Sequence, residues 1–279
     1  MQTYKLYNGV EFPVVGYGTY KAVNGTNNQA IREALRAGYR YFDSASFYGT
    51  EEGLGRAIKE EGVERSEVCL ATKVWKAEMG YQKTLEAFEN SLTRLDTDYI
   101  DLYLIHWPRP DLQCDWKEIS IETWKAMEEL YKNGRARAIG VCNFLPHHLE
   151  NIMSQMEIKP MVNQLEFHLG YTQEAAVAFC KKNDICVQAW SPISRGRIFE
   201  EELLKEMVEK YNVSPAQLSL RFCIQKGMAP LPKSENEQRI KENIDVFSFE
   251  ITREDMYRLE SIPQTGWSGE HPDRERVKV

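Results

Sequence analysis

GYRYFDSASFYGTEEGLGRAI, residues 38–58, holds one complete strand–loop–helix unit. Residues 40–44 form a short aromatic and apolar run that reads as a strand. Residues 50–61 carry helical apolar spacing, with Thr50 as the expected N-cap and Gly62 as the stop. The same unit recurs outward along the chain. Strand-like runs at 14–19, 68–74, 100–106, 136–142, 161–167, 185–190 and 228–232 alternate with helical runs at 27–37, 82–95, 121–132, 147–156, 173–182, 200–211 and 216–226. Ser214-Pro215 opens the last of these helices as cap and first-turn pair. A hairpin comes first, its turn signalled by Asn8-Gly9, the preferred pair for a type I′ turn. Two further helices are expected at 237–243 and 253–262.

Eight strand–helix units close a parallel barrel. The expected class is therefore α/β, a (β/α)₈ TIM barrel spanning 1–279 as one domain, with an N-terminal β-hairpin and two extra helices. An open doubly wound sheet is the competing architecture. Its fingerprint is weak here, because Gly16-Tyr17-Gly18 lacks a third glycine and lies at a strand end, not a helix start.

Composition narrows the function classes. A chain of 279 residues buries a large core without staples. Its net charge of −7 opposes nucleic acid and anionic membrane surfaces as partners. No apolar run approaches the roughly 18–20 residues of a membrane span, and the first residues carry no secretory pattern, so the cytoplasm is the expected location. Cys69, Cys114, Cys142, Cys180, Cys186 and Cys223 have no metal-type spacing and read as reduced thiols; no metal is expected.

Chemistry in a barrel collects at the C-terminal strand ends. The second strand ends in Asp43, with Tyr48 in the following loop; the third ends in Lys73 and the fourth in His106. Period-two alternation puts Lys73 in line with Cys69 and Ala71, and His106 in line with Leu102 and Leu104. Both then point into the mouth. Taken singly, each has a plainer reading: a structural ion pair, a loop aromatic, a core histidine. Together they make a proton-donor site. An ammonium beside a phenol favours phenolate and draws its high pKa toward neutrality. Asp43 keeps Lys73 charged, and neutral His106 donates a hydrogen bond to a carbonyl oxygen. Such a site still needs a hydride source, hence a cofactor. A Schiff-base role for Lys73 is the alternative chemistry, which Asp43 opposes by holding the ammonium protonated.

The chain resembles the aldo-keto reductases in GYGTY (16–20), residues 38–58, ATKVW (71–75), RLDTDYIDLYLIHWP (94–108), GVCNF (140–144), NQLEFH (163–168), WSPIS (190–194) and LPKSENEQRIKEN (231–243). The likeness is strongest to the bacterial 2,5-diketogluconate and glyoxal reductase branch. The resemblance implies that Asp43, Tyr48, Lys73 and His106 are the catalytic tetrad, with Tyr48 protonating the carbonyl. It implies NADPH as cofactor, NADH as a weaker alternative. Gly18, Thr19 and Asp43 would lie beside it. Asn143 and Gln164 would bind its carboxamide, preceded by Cys142 where relatives carry serine. Trp190 would stack on the nicotinamide, and Ser191, Pro192 and Ile193 would line the pyrophosphate. Lys233, Ser234 and Arg239 would grip the 2′-phosphate, and Glu242 and Asn243 would meet the adenine. Glu235 departs from the pattern: its carboxylate either repels the 2′-phosphate or accepts from free ribose hydroxyls.

Tyr20, Phe47, Trp75, Trp107 and Phe144, with His106, are the expected substrate contacts, and Trp267 of the tail comes within reach. The loop after Trp107 and the tail after Ile262 are short, where steroid-binding relatives are longer. The expected substrates are small aldehydes, dicarbonyls or keto-sugars, and the expected state is a monomer. A non-catalytic, cofactor-sensing relative is the alternative.

Overall fold

The computed structural model describes residues 2–278. The chain opens with β1 (Thr3–Lys5) and β2 (Glu11–Pro13), an antiparallel pair. Their turn departs from the type I′ expectation. Gly9 alone has a positive φ, 90°; its N–H donates to Leu6 O at 2.9 Å, and Leu6 N–H to Val10 O at 2.8 Å. The result is a three-residue loop with glycine in the left-handed position. Asn8 uses its amide elsewhere, accepting from Val10 N–H and donating to Arg137 O. The hairpin closes the N-terminal end of the barrel. Tyr4 donates to Met228 O, and Phe12 packs edge-on against Tyr41 with centroids 5.3 Å apart.

Eight parallel strands follow: β3 (Tyr17–Gly18), β4 (Tyr41–Asp43), β5 (Cys69–Val74), β6 (Leu102–Ile105), β7 (Ile139–Cys142), β8 (Val162–Glu166), β9 (Cys186–Trp190) and β10 (Ala229–Leu231). Each pairs with the next in chain order. The seam between β10 and β3 is joined by Gly16 N–H to Pro230 O at 3.1 Å and Gly18 N–H to Pro232 O at 2.9 Å. Only glycine fits at position 16, where a Cβ would lie 2.5 Å from Tyr41 Cδ1 and 2.6 Å from Leu231 Cδ2. All eight strands fall inside the expected runs, and each is shorter than its run.

Around them run α1 (Gln29–Arg36), α2 (Glu51–Glu60), α3 (Tyr81–Leu95), α4 (Trp116–Lys132), α5 (Pro146–Met153), α6 (Glu174–Lys182), α7 (Glu202–Tyr211), α8 (Pro215–Gln225), α9 (Glu237–Ile244) and α10 (Arg253–Glu260). Ser214 caps α8 as expected, accepting from Gln217 N–H while Gln217 Oε1 accepts from Ser214 N–H. Two helix N-termini differ from expectation, one in its position and one in its cap. α4 begins five residues before 121, because Asp115 accepts from Lys117 N–H and Glu118 N–H. Thr50 precedes α2 without capping it; its hydroxyl lies 2.9 Å from both Thr19 Oγ1 and Ser44 Oγ.

The additional helices are also reassigned. α9 packs on α1 and α8 and completes the ring. The extra pair is α7 and α10, which pack together. Lys210 and Tyr211 of α7 both reach Asp255 of α10, and Glu206 takes Arg258 at 2.7 Å.

Candidate active site

Asp43 ends β4, Lys73 lies next to the end of β5, and His106 follows β6 directly. Tyr48 sits on the 3₁₀ turn Ser46–Tyr48. The structure brings all four together at the C-terminal rim. Lys73 is fully buried, and Nζ donates to Asp43 Oδ2 at 2.6 Å and to Ser44 O at 2.7 Å. Asp43 Oδ1 accepts from Gln164 Nε2 at 2.8 Å, so the carboxylate is held from two sides. The ammonium lies 5.0 Å from the Tyr48 ring centroid, and the Tyr48 hydroxyl lies 3.4 Å from His106 Nε2.

Burial dominates the electrostatics of the phenol. It pushes the Tyr48 pKa above its ordinary value; Lys73 pulls the other way without prevailing, and Asp43 adds to the rise. The expected drift toward phenolate is thus reversed, and the hydroxyl stays protonated. Burial draws Lys73 down, but Asp43 and Tyr48 together hold it above the ordinary lysine value. His106 is pushed well below its ordinary value by burial, then by Lys73 and Lys76, so the ring is neutral. Its Nδ1 is buried without a partner among the described residues. An unpaired acceptor nitrogen is more tolerable than an unpaired N–H. The proton therefore belongs on Nε2, facing Tyr48.

An aromatic rim surrounds this cluster. Phe47 stacks on Trp75 at 3.9 Å, Trp75 meets His106 edge-on at 5.0 Å, and Tyr20 lies 5.0 Å from Tyr48. Tyr20 and Phe47 are exposed. Lys76 Nζ lies 4.9 Å from the Trp107 ring centroid. Phe144 does not join them: it is fully buried and packs against His148. Trp267 is also turned aside, stacked on Tyr171 at 6.3 Å with its indole N–H on Glu270 O.

The residues expected to face a cofactor divide into two groups. Asn143 and Ser191 hold left-handed backbone, with φ of 62° and 53°. Asn143 Nδ2 donates to His106 O at 3.1 Å, and its Oδ1 accepts from Trp190 Nε1 at 2.8 Å. This fixes the amide between the tetrad and Trp190. Gln164 Nε2 is taken by Asp43 and Gln188 Oε1, which leaves its Oε1 without a partner among the described residues. Cys142 is buried, and burial raises its thiol pKa. Pro192 is buried and Ile193 partly so. Thr19 differs from expectation: it is fully buried, its hydroxyl on Asp43 O and Thr50 Oγ1.

The second group lies past β10. Lys233 pairs with Glu235, and Ser234 Oγ accepts from Asn236 N–H. Arg239, exposed on the first turn of α9, has no carboxylate within ion-pair distance among the described residues. Glu242 accepts from Gln238, and Asn243 is buried with its Oδ1 unpartnered among the described residues.

Sequence reading missed three supports of this rim. Gln188 accepts from both Tyr41 OH and Gln164 Nε2 inside the barrel. It shares a β9 face with Trp190, and the same alternation that placed Lys73 would have found it. Glu78 accepts from Trp75 N–H at 2.8 Å and from Ser46 Oγ at 2.5 Å. Buried Glu166 accepts from Ser268 N–H at 2.8 Å and Ser268 Oγ at 2.7 Å, pinning the tail to β8.

One cluster resembles a metal site. Ligand atoms of His147, His148 and Asp273 lie within 4.8 Å of one another. Yet His148 Nδ1 accepts from Leu145 N–H at 3.1 Å, so the ring proton sits on Nε2, which donates to Asp273 at 2.9 Å. A protonated nitrogen cannot ligate a metal. With Arg109 3.1 Å from Asp273, the cluster is a second clasp on the tail.

Fold and rim chemistry together define a (β/α)₈ barrel with an acid–base cluster at the C-terminal ends of its strands. The Aldo/keto reductase family matches residues 15–264. Glyoxal reductase of Bacillus subtilis is 47% identical over 272 residues, which cover 97% of this chain and 96% of that protein. A solved aldo/keto reductase from Brucella melitensis is 42% identical with a TM-score of 0.88, covering 93% of this chain and 98% of the other. A Bombyx mori aldo-keto reductase, solved in complex with NADP, is 33% identical with a TM-score of 0.84, covering 100% and 95%. The chain belongs to the aldo/keto reductase family.

Proposed function

We propose that the protein reduces aldehydes and ketones to alcohols with NADPH, with Tyr48 as proton donor. The observation that carries this reading is the fully buried Lys73 ammonium, 2.6 Å from Asp43, beneath a Tyr48 hydroxyl that also faces His106. When bound, the nicotinamide supplies hydride. The residues present fit such a group. The unpartnered Gln164 Oε1 and the clamped Asn143 amide suit its carboxamide, Trp190 its ring, and Ser191–Ile193 its pyrophosphate. Lys233, Ser234 and Arg239 suit a 2′-phosphate beside the opening of α9, and Glu242 with the unpartnered Asn243 Oδ1 suits the adenine.

The chain's own groups divide the remaining work. His106 Nε2–H and the Tyr48 hydroxyl together fix a carbonyl oxygen between them. Tyr48 then transfers its proton to that oxygen. Lys73 stabilises the phenolate left behind, and Asp43 keeps Lys73 charged and in place. The same pairing argues against Lys73 as a Schiff-base nucleophile, since its pKa lies above the ordinary value. The exposed aromatic rim suits small aldehydes, dicarbonyls and keto-sugars, in keeping with the glyoxal reductase relative.

Tyr48→Phe tests the assignment. Carbonyl-dependent loss of NADPH absorbance should fall by about 10²–10⁴-fold, with NADPH affinity little changed. A variant turning over near the wild-type rate would falsify the role of Tyr48. A binding-only relative would show no carbonyl-dependent oxidation even before substitution.

A further inference from the structure

A chain of polar side chains runs from the tetrad down into the barrel. Tyr41 and Asp43 alternate onto one face of β4, and Gln164 of β8 lies in register with Gln188 of β9. All four are buried. Tyr41 OH lies 3.0 Å from Gln188 Oε1, and Gln164 Nε2 lies 3.2 Å from the same oxygen and 2.8 Å from Asp43 Oδ1. The proton transfer described above uses neither Tyr41 nor Gln188.

The direction of each bond follows from the groups. Burial holds the Tyr41 phenol well above its ordinary pKa, so its hydroxyl keeps its proton and donates. That donor fixes Gln188 with its oxygen, not its NH₂, toward Gln164. The oxygen only accepts, so it takes one N–H of Gln164 while Asp43 takes the other. A side-chain amide has two N–H donors, and both are then spent. Held by Asp43 alone, the Gln164 amide can turn about that one bond and bring its second N–H to the rim. Held at both, it presents only Oε1, which has no partner among the described residues.

We propose that Gln188 is a positioning residue: by taking the second N–H of Gln164 it leaves the site an acceptor only, matched to the N–H of a carboxamide and selective against a methyl ketone in its place. This rests on the reductase reading above. NADP⁺ and its 3-acetylpyridine analogue, in which a methyl replaces the carboxamide NH₂, test it through their dissociation constants, measured by quenching of tryptophan fluorescence. The wild-type protein should bind NADP⁺ about tenfold more tightly than the analogue. Gln188→Leu frees one Gln164 N–H to donate to the acetyl oxygen, and the ratio should fall by at least about threefold. A role in packing alone weakens both ligands together and leaves the ratio unchanged, and that result overturns the inference. Should Gln188→Leu fail to fold, Tyr41→Phe keeps the ring against Phe12 and removes only the hydroxyl that orients Gln188. The ratio should then fall by at least about twofold, and an unchanged ratio overturns the inference equally. A wild-type protein that binds the two ligands alike overturns the inference and leaves the reductase reading standing. Binding of neither overturns both.

Discussion

Lys73 and Lys233 each stand at the C-terminal end of the barrel facing a carboxylate, and their surroundings could hardly differ more. The Lys73–Asp43 pair is almost wholly removed from water, with side-chain exposures of 0% and 6%. Ser44 O and Gln164 complete its hydrogen bonding. The Lys233–Glu235 pair is 30% and 63% exposed, and no second carboxylate or carbonyl meets the Lys233 ammonium among the described residues. Burial makes a charge expensive and therefore immobile once it is satisfied. Exposure makes a charge cheap to hold and easy to redirect. The first environment suits a group that must meet a reacting oxygen in one geometry; the second suits a group that must release one anion and take another.

The largest effect should come from breaking the buried pair. Lys73→Met strands the Asp43 carboxylate and should cost about 3–5 kcal/mol of stability, with carbonyl reduction falling to background. Chemical denaturation and a steady-state assay measure the two losses separately. Combining it with Asp43→Asn removes both charges and should recover much of the stability but none of the activity. If the double variant regained turnover, the pair would be scaffolding and nothing more.

The same contrast explains what could be read from the sequence. Strand ends are legible because alternation fixes which side chains face the mouth: Cys69, Ala71 and Lys73 form one row, so spacing alone places Lys73 at the rim. Burial is much less legible. Whether the Lys73 ammonium or desolvation controls Tyr48 depends on how much of the barrel closes around the phenol, and desolvation prevails. Phe144 failed for a related reason. Its motif position points to the pocket, but His148, four residues on in α5, supplies a packing partner beneath the surface. Contacts across long sequence separation were invisible altogether. Glu166 and Ser268 lie 102 residues apart, and nothing local in EFHLG or GWSGE announces that one binds the other. The start of α4 is decided by the Asp115 side chain, and the Thr50 hydroxyl turns to Thr19 and Ser44 instead of capping α2 at the expected start; spacing announces neither.

A smaller effect is expected from the exposed cluster. Arg239 has no acidic partner among the described residues, so on the proposed reading it is free to meet a 2′-phosphate. One charge-assisted hydrogen bond to phosphate is worth about tenfold in affinity at most sites. Arg239→Ala should therefore raise the Kd for NADPH by about that factor while leaving NADH binding within about twofold. Fluorescence titration with the two cofactors checks it. Equal weakening of both would mean that the arginine supports the loop and does not contact the phosphate.

Glu235 gives the smallest and most informative change. Its carboxylate occupies Lys233, and Lys233 in turn lowers its pKa, so the pair is self-satisfied while nothing is bound. On the proposed reading, NADPH competes with Glu235 for that ammonium. An exposed ion pair is worth only about 0.2–1 kcal/mol, so the competition is mild and salt should weaken it further. Glu235→Gln keeps the side-chain shape and removes the competitor. NADPH affinity should rise about two- to threefold at low salt, and the gain should fade as salt is added. NADH, which has no 2′-phosphate, should bind no better; it should bind slightly worse if the carboxylate accepts from its ribose hydroxyls. An unchanged NADPH Kd in Glu235→Gln would mean that Lys233 never leaves its partner, and the grip on the phosphate would then fall to Arg239 alone.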